Sequence, residues 1–377
     1  MVERKTMAII LANMHDSLVG SMTGIRSMAS IPFAGRYRLI DFHLSGLVHA
    51  GISDVAIIAK ENYNSLMRHI GSGKEWDLSR KIDGVQLYPP HVDAAYTSYS
   101  SGRINAVHNI LPHIEESTSN YVVLLDCDHV CNIDFSALVN DHIKTKADIS
   151  MLCYTSNSTD EKFLLNNVSV VHDENERVVE IAYHSLVGKN KNYRLSMNVM
   201  VLSRQLLIEL IENAYNQKGS IFERDILIPG LRTLFIRSVD FEGYVRRIDS
   251  IEGYFNTTMS LLDQKNYNAL FLKERPIFTK VNDDAPVRYG LNSNLKNSLL
   301  ADGCVIEGTV ENSVLFRGVT VEEGAVVRDC VLMQGTIVKK NATVDYVITD
   351  TFVEIKESRK IMGYKTYPLY IGSRHIV

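Results

Sequence analysis

The sequence is short of the features that send a chain out of the cytoplasm or into a membrane. Its five cysteines are odd in number and, apart from Cys127 and Cys131, widely spread, which argues against a disulfide framework and for a reducing compartment. Cys127 and Cys131 have a spacing open to two zinc ligands. No second cysteine or histidine pair stands at a matching interval, so both read as small apolar fillers. The N-terminal MVERKTMAII mixes acidic and basic residues ahead of an apolar run far below the roughly 20 residues of a membrane span. A formal charge of −4 offers no broad positive field, so neither nucleic acid nor a membrane is expected as a partner.

What is present is enough chain for two domains. From residue 7 to about 240, β-rich runs alternate with helical periods. MAIILA (7–12), VAIIA (55–59) and YVVLL (121–125) are apolar at nearly every position, as strands buried on both faces of a parallel sheet must be. IDFHLSGLVHAGI (40–52) and RQLLIELIENAYNQKG (204–219) read as helices that end in Ala-Gly and Lys-Gly stop signals. This ordering predicts a doubly wound α/β sheet with any ligand beyond the carboxyl ends of its strands. After about residue 290 the texture changes to a six-residue period. Val319, Ala325, Val331 and Ile337 form one series and Leu332, Val338 and Val344 another, with glycines 303, 308, 318, 324 and 335 at the corners. That is the signature of a parallel β-helix. The expected division is 1–271 for the sheet domain, 272–290 for a linker with two prolines, and 291–377 for the β-helix.

IPFAGRYRLIDFHLSGLVHAGISDVAII (31–58), YVVLLDCDHVCNIDFS (121–136) and the hexapeptide helix together resemble the glucose-1-phosphate adenylyltransferase (ADP-glucose pyrophosphorylase) family over almost the whole chain. The family signature PFxGxYRxIDFxLSN is matched at Pro32, Phe33, Gly35, Tyr37, Arg38, Ile40, Asp41, Phe42, Leu44 and Ser45. The resemblance implies a Rossmann-like, GT-A-like nucleotidyltransferase domain followed by a left-handed β-helix. It also implies a reaction in which glucose 1-phosphate attacks the α-phosphate of ATP to give ADP-glucose and pyrophosphate. Such a site needs backbone amides, cations and carboxylate-held Mg²⁺ to manage several negative charges.

Those needs are where this sequence departs from the family. The GGxGTRL-type phosphate loop falls on Asn13, Met14, His15, Asp16, Ser17 and Leu18, with every glycine and the arginine gone. The lysine of RAKPAVPF falls on Met28. The GTADA motif reads Gly102, Arg103, Ile104, Asn105, Ala106, and EKP falls on Tyr183, His184 and Ser185, while the serine of SMG persists as Ser196. The family's GDH aspartate is kept as Asp128, but the second metal aspartate falls on Arg247, which turns a cation site into a cation-repelling one. Asp249 could replace it only if strand alternation brings it to the same point.

Each of these residues also has a plainer reading. Asp128 reads as a strand-end cap in preference to a metal ligand, and His15 and His129 as polar loop residues. Arg247 reads as either a phosphate contact or, more commonly, one half of a salt bridge. Asp225 reads as supporting structure, and Lys339 and Lys340 as an exposed β-helix corner. Arg26, Arg36 and Arg38 match a region that in the family binds phosphorylated effectors, and they read equally as a solvated basic face. A hexapeptide acyltransferase would need a histidine base, and none occurs between residues 185 and 374. The losses are selective, falling on triphosphate, metal and sugar-phosphate positions. The pattern resembles the regulatory, non-catalytic subunit of the family, which implies a hetero-oligomer, in all expectation a tetramer, with a catalytic homologue in the cytoplasm. No cofactor is expected, and Mg²⁺ only with residual activity. Two alternatives stay open: a nucleotidyltransferase working weakly through Asp128, Asp249 and Arg247, and a free-standing sensor of a sugar phosphate or nucleotide.

Overall fold

The computed structural model describes residues 5–89, 102–155, 167–182 and 193–377; Tyr183 and His184 lie outside the described residues. The apolar runs form the centre of a nine-stranded sheet. Thr6–Leu11 pairs in parallel with Asp54–Ile58 on one side and Tyr121–Asp126 on the other, and Gly84–Tyr88 extends the parallel part beyond Asp54–Ile58. Because the chain leaves Thr6–Leu11 in one direction and returns on its other flank at Tyr121–Asp126, the strand order reverses between Leu11 and Asp126. Those two residues are register partners at the carboxyl ends of their strands, the place where open α/β sheets bind ligands.

The sheet is mixed beyond that point. Tyr193–Ser203 runs antiparallel to both Tyr121–Asp126 and Ile149–Tyr154, and Ile236–Asp240 lies parallel to the latter. A bulge between Ser196 and Val199 breaks its register and leaves Asn198 at φ 56°. Leu39–His49 and Arg204–Asn216 are the expected helices. The first ends where Gly51 takes φ 72°, and the second starts with Ser203 Oγ accepting from the Leu206 amide at 3.2 Å. Among the described residues no helix is long and apolar enough to cross a membrane.

The C-terminal domain is a three-sided parallel β-helix, left-handed as expected, with five strands stacked in each of three sheets. Val310, Val327, Val344, Val321, Val338 and Leu332 fill its interior and are all fully buried. Val305 pairs with Thr320 and Thr320 with Ile337, so the coils differ in length and a strict six-residue series cannot hold. Ile337 therefore stays partly exposed while Val338 turns inward.

The first rung, Arg288–Tyr289, lies inside the segment expected as linker. The start of that segment is fastened to the sheet domain: Asn132 Nδ2 donates to the carbonyl of Arg275, and the Phe278 amide donates to Ser45 Oγ at 2.8 Å. A shared apolar cluster seals the two domains together. Phe33, Phe42, Tyr254 and Phe255 from the first meet Val314, Phe316, Val331 and Ile348 from the second. Burial on this scale makes the domain pair one packed unit.

Candidate functional site

The loop after Thr6–Leu11 is wound tight, with a 3₁₀ turn at Asp16–Val19 and a helical turn at Gly20–Thr23. Asn13 bridges its two edges: Oδ1 accepts from the Lys60 amide at 2.9 Å and Nδ2 donates to Asp16 Oδ2 at 2.6 Å. The other carboxylate oxygen of Asp16 accepts from the Met28 amide at 2.7 Å. A side-chain carboxylate thus ties the start of the wound loop, at Asn13, to its far end at Met28. Burial pushes the Asp16 carboxyl up to about 6, against the pull of Asn13 and the Met28 amide. Met14 packs on one face of the sheet, Leu18 closes the 3₁₀ turn through its amide to the His15 carbonyl, and Met28 is fully buried.

At the switch point, Asp126 and Asp128 point to one side of the strand end, as residues two apart do. Both are buried and both are spoken for. Arg247 Nε stands 2.7 Å from Asp128 Oδ2, and Arg103 Nη2 stands 2.6 Å from Asp126 Oδ2 while Nη1 bonds Glu223. His15 reaches in from the wound loop, with Nε2 2.8 Å from Asp126 and 3.5 Å from Asp128. His129 Nδ1, at 2.8 Å, and Asn198 Nδ2, at 3.2 Å, complete the shell around Asp128.

Burial alone would neutralise these groups. Instead the cations hold the Asp128 carboxyl well below the carboxylate range, chiefly through His129, His15 and Arg247. The Asp126 carboxyl falls too, chiefly through Arg103. In return the carboxylates of Asp128 and Asp126 raise His15 despite its own desolvation. Three carboxylates (Asp126, Asp128, Glu223) thus face the guanidiniums of Arg103 and Arg247 and the imidazoles of His15 and His129.

His15, Asp126 and Asp128 offer ligand atoms within 4.8 Å of one another, which is the grouping a divalent cation would use. The surroundings do not fit Mg²⁺. That ion requires near-octahedral oxygen coordination and keeps several waters, yet the facing carboxylate oxygens already hold guanidinium groups. Among the described residues only Asp126 Oδ1 is a buried carboxylate oxygen of this group without a hydrogen bond. Asp249 does not join: its Oδ1 accepts from Ser250 Oγ at 3.1 Å. The arrangement is a buried ion network in which Asp128 and Asp126 each hold a guanidinium and share His15.

The sequence-predicted residues divide between this cluster and its walls. Asp128 and Arg247 meet, as the salt-bridge reading of Arg247 has it, and His15 is a full member of the network where a mere loop residue was expected. Ser196 Oγ accepts from the Asn198 amide and shapes the bulge. Gly102 caps the helix Arg103–His108, which carries Asn105; a Cβ on Gly102 would stand 1.7 Å from the Ser220 carbonyl oxygen, so only glycine fits. Asp225 accepts from the amides of Ser220 and Ile221 and holds that turn. Lys339 and Lys340 pair with Glu322 and Glu323 of the adjacent coil. Four network members escaped sequence reasoning: Asp126, Arg103 as an ion partner, Glu223 and Asn198. Asp126 alone had a signal, the alternation in Asp126-Cys127-Asp128.

A second concavity, about 580 Å³, lies between the domains. Arg26, Arg36 and Arg38 all line it, joined by Arg68, Lys280, Arg317 and Arg374, which sequence reasoning did not single out. The three predicted arginines are not equivalent. Arg26 is buried and forked onto Asp350 at 2.6 and 2.8 Å. Arg38 Nη1 donates to Ser65. Arg36 is half exposed, 3.6 Å from Asp302. Crowding is visible in the charges themselves: burial, together with Arg26 and Arg68, brings Arg38 down to about 10 despite Asp41, and burial with Arg36 lowers Arg317.

The comparisons with known proteins agree with this architecture. The nucleotidyl transferase family profile matches residues 18–181, and the profile of the GlmU-like C-terminal hexapeptide family matches residues 283–366. The glycogen biosynthesis protein GlgD of Bacillus subtilis (strain 168) is 34% identical over 98% of this chain and 96% of that protein. GlgD of Geobacillus stearothermophilus is 35% identical over 86% of this chain and 84% of its own length. Glucose-1-phosphate adenylyltransferase of Bacillus thuringiensis (strain Al Hakam) is 29% identical over 96% of both. An α/β nucleotidyltransferase domain sealed to a hexapeptide β-helix, aligned end to end with these proteins, means that the chain belongs to the family of glucose-1-phosphate adenylyltransferases and GlgD glycogen biosynthesis proteins.

Proposed function

We propose that this chain serves glycogen biosynthesis in the cytoplasm as a regulatory subunit of glucose-1-phosphate adenylyltransferase, without appreciable activity of its own. The observation that carries the reading is the pairing of Asp126 and Asp128 with Arg103 and Arg247. Cations supplied by the chain stand where a catalytic relative needs a metal, and Asp16 adds a carboxylate to the loop where a triphosphate would need positive partners. No Mg²⁺ is expected to bind. The catalytic homologue is the expected partner, in a heterotetramer whose equilibrium this chain biases toward the form with better substrate or effector affinity. A subunit can do so only by binding one state more tightly, and a coupling of about 1 to 3 kcal/mol corresponds to a 5- to 150-fold effect.

The interdomain cleft supports a phosphorylated effector as part of that regulation. Its crowded guanidiniums, with Arg36 half exposed, gain from an anion that relieves their mutual repulsion. The experiment compares ADP-glucose synthesis by the catalytic homologue, by this chain with Mg²⁺, ATP and glucose 1-phosphate, and by their mixture. A mixture faster than the sum of its parts supports the regulatory reading, and a mixture equal to the sum removes it. Turnover by this chain alone makes it an enzyme with an altered site. Binding of fructose 1,6-bisphosphate or AMP without any effect on the homologue makes it a free-standing sensor.

A further inference from the structure

One corner of the β-helix carries charge of both signs beside the interdomain cleft. The Gly318 amide donates to the Asp302 carbonyl and the Gly335 amide to the Arg317 carbonyl, so Asp302 and Arg317 hold the same corner in adjacent coils. A second carboxylate is fixed there. The Gly303 amide donates to the Ala285 carbonyl at 2.6 Å, and a Cβ on Gly303 would stand 3.5 Å from that of Asp284. Across the seam, the turn at Ala34 and Gly35, with φ 49° and 83°, comes up against Ala301: a Cβ on Gly35 would lie 3.5 Å from its methyl group. That turn delivers Arg36 to the same corner. Arg36 and Arg317 line the cleft, while neither Asp284 nor Asp302 is among the residues that do.

The two carboxylates face the two guanidiniums at arm's length. Asp302 Oδ2 lies 3.6 Å from Arg36 Nη2, and Asp284 Oδ2 lies 4.0 Å from Arg317 Nε. A charge-assisted hydrogen bond closes to about 2.7–2.9 Å, as Arg26 does on Asp350 at 2.6 and 2.8 Å. Neither corner contact is a hydrogen bond, so neither carboxylate fixes where a guanidinium points. Arg317 is oriented by the Lys280 carbonyl, to which Nη1 and Nη2 both donate at 3.3 Å, and its buried Nε has no hydrogen-bond partner among the described residues. The aspartate side chains are 41% and 38% exposed, open enough for water to solvate them, and neutralising them strands no partner. Carboxylates so placed act through their field alone: they offset the potential of the guanidiniums and repel an anion that approaches them.

We propose that Asp302 and Asp284 are built-in counter-ions that oppose anion binding in the interdomain cleft and so set the concentration at which a phosphorylated ligand fills it. This role rests on the cleft being an effector site held by Arg36 and Arg317. In the empty cleft the two carboxylates temper the repulsion between those guanidiniums. A phosphate group does the same at hydrogen-bonding distance, and the carboxylates then become like-charged neighbours that oppose it. Asp302 belongs to the β-helix and Arg36 to the α/β domain, so the competition between carboxylate and ligand for Arg36 lies across the seam.

Calorimetric titration of the full chain with fructose 1,6-bisphosphate and, separately, with inorganic phosphate tests this in wild type, Asp302→Asn, Asp284→Asn and the double variant. Each neutralisation is expected to tighten binding about threefold and the pair about tenfold at low salt, an advantage that shrinks at high salt as the field is screened. Asp302→Glu keeps the charge and should bind as the wild type does. Melting temperatures without ligand should move by no more than about 2 °C, because only weak, exposed pairs are lost, and this separates the effect from a change in the fold. Binding by wild type that is unchanged or weakened in the neutralised variants overturns the counter-ion role and leaves the cleft an effector site. Binding that appears only in the neutralised variants supports the role. Absence of binding by every chain removes the effector reading and this role with it.

Discussion

Arg26 and Asp350 are 324 positions apart in sequence, and the guanidinium of one is forked onto the carboxylate of the other at 2.6 and 2.8 Å. Both are buried, and Tyr370 donates a further hydrogen bond to Asp350. The pair joins the loop that follows the first strand to one of the last coils of the β-helix, so it closes the domain seam at its polar edge. Removing one partner strands a buried charge, and Arg26→Ala is expected to cost about 3 to 5 kcal/mol. The Asp350 carboxyl sits below its ordinary value because Arg26 and Tyr370 outweigh its burial. Its contribution is therefore complete above the unfolded carboxyl range and is lost as pH falls through the lower folded value. Urea denaturation of wild type, Arg26→Ala, Asp350→Asn and the double variant measures the coupling; single losses that simply add would remove the latch.

The closed cleft makes a second expectation. Arg247→Ala leaves Asp128 with His129, His15 and Asn198 but without its guanidinium, and a loss of about 3 kcal/mol follows from breaking a buried ion pair. Restoring a metal site takes more than Arg247→Asp, because Arg103 still holds Asp126 and His15 still spans both carboxylates. Glycines and arginine in the first loop, with Met28→Lys and Arg247→Asp, are expected to remain inactive until Arg103→Thr is added. The readout is Mg²⁺-dependent thermal stabilisation alongside ADP-glucose formation. A response before Arg103 is changed would mean that its ion pair does not block the site.

How much of this was legible in the sequence depends on the range of the interaction. The core strands, the two long helices and the coiled domain are written in local periodicity, and buried positions such as Leu332, Val338 and Val344 follow from it. The antiparallel strand Tyr193–Ser203 was not, because a strand's direction is set by a connection and not by its composition. Charge loss in the first loop was visible at Asn13, Asp16 and Met28. That Asp16 would turn back onto the Met28 amide, and that His15 would enter the carboxylate pair, depends on how twenty loop residues wind in three dimensions. Glu223 lies 120 positions from Arg103, and nothing in its neighbourhood marks it as an ion partner.

Asp16 gives a pH dependence opposite in sign to that of Asp350. Its folded value is about 6, raised by burial, so the folded state binds this proton more tightly than the unfolded chain. Its contribution favours folding below the ordinary carboxyl range and is lost as pH rises through 6. Asp16→Asn removes the titration and one of two hydrogen bonds, since an amide nitrogen cannot accept from Asn13. Relative to wild type the variant should therefore gain stability between pH 4.5 and 7.5, by at most about 2 kcal/mol after allowance for partial exposure. Denaturation midpoints at those two pH values check it, and a wild type–variant difference independent of pH would mean that Asp16 is not held in a desolvated position.

The interdomain cleft separates structural arginines from binding ones. Arg26 is committed to Asp350 and Arg38 to Ser65, so their removal should lower the melting temperature and disturb binding only through the fold. Arg36, half exposed and 3.6 Å from Asp302, has little to lose. Arg317 is crowded by burial and by Arg36, and it donates to the Lys280 carbonyl. Calorimetric titration with fructose 1,6-bisphosphate should show binding that weakens about 10- to 100-fold in Arg36→Ala and in Arg317→Ala, as expected for loss of about 1.5 to 3 kcal/mol in a charge-assisted contact. The melting temperature of the free Arg36→Ala variant should move little, because relief of repulsion offsets a weak surface pair. If the bisphosphate binds wild type and both variants alike, the cleft does not hold it. If Arg36→Ala unfolds the chain, the residue belongs to the seam with Arg26 and not to the ligand.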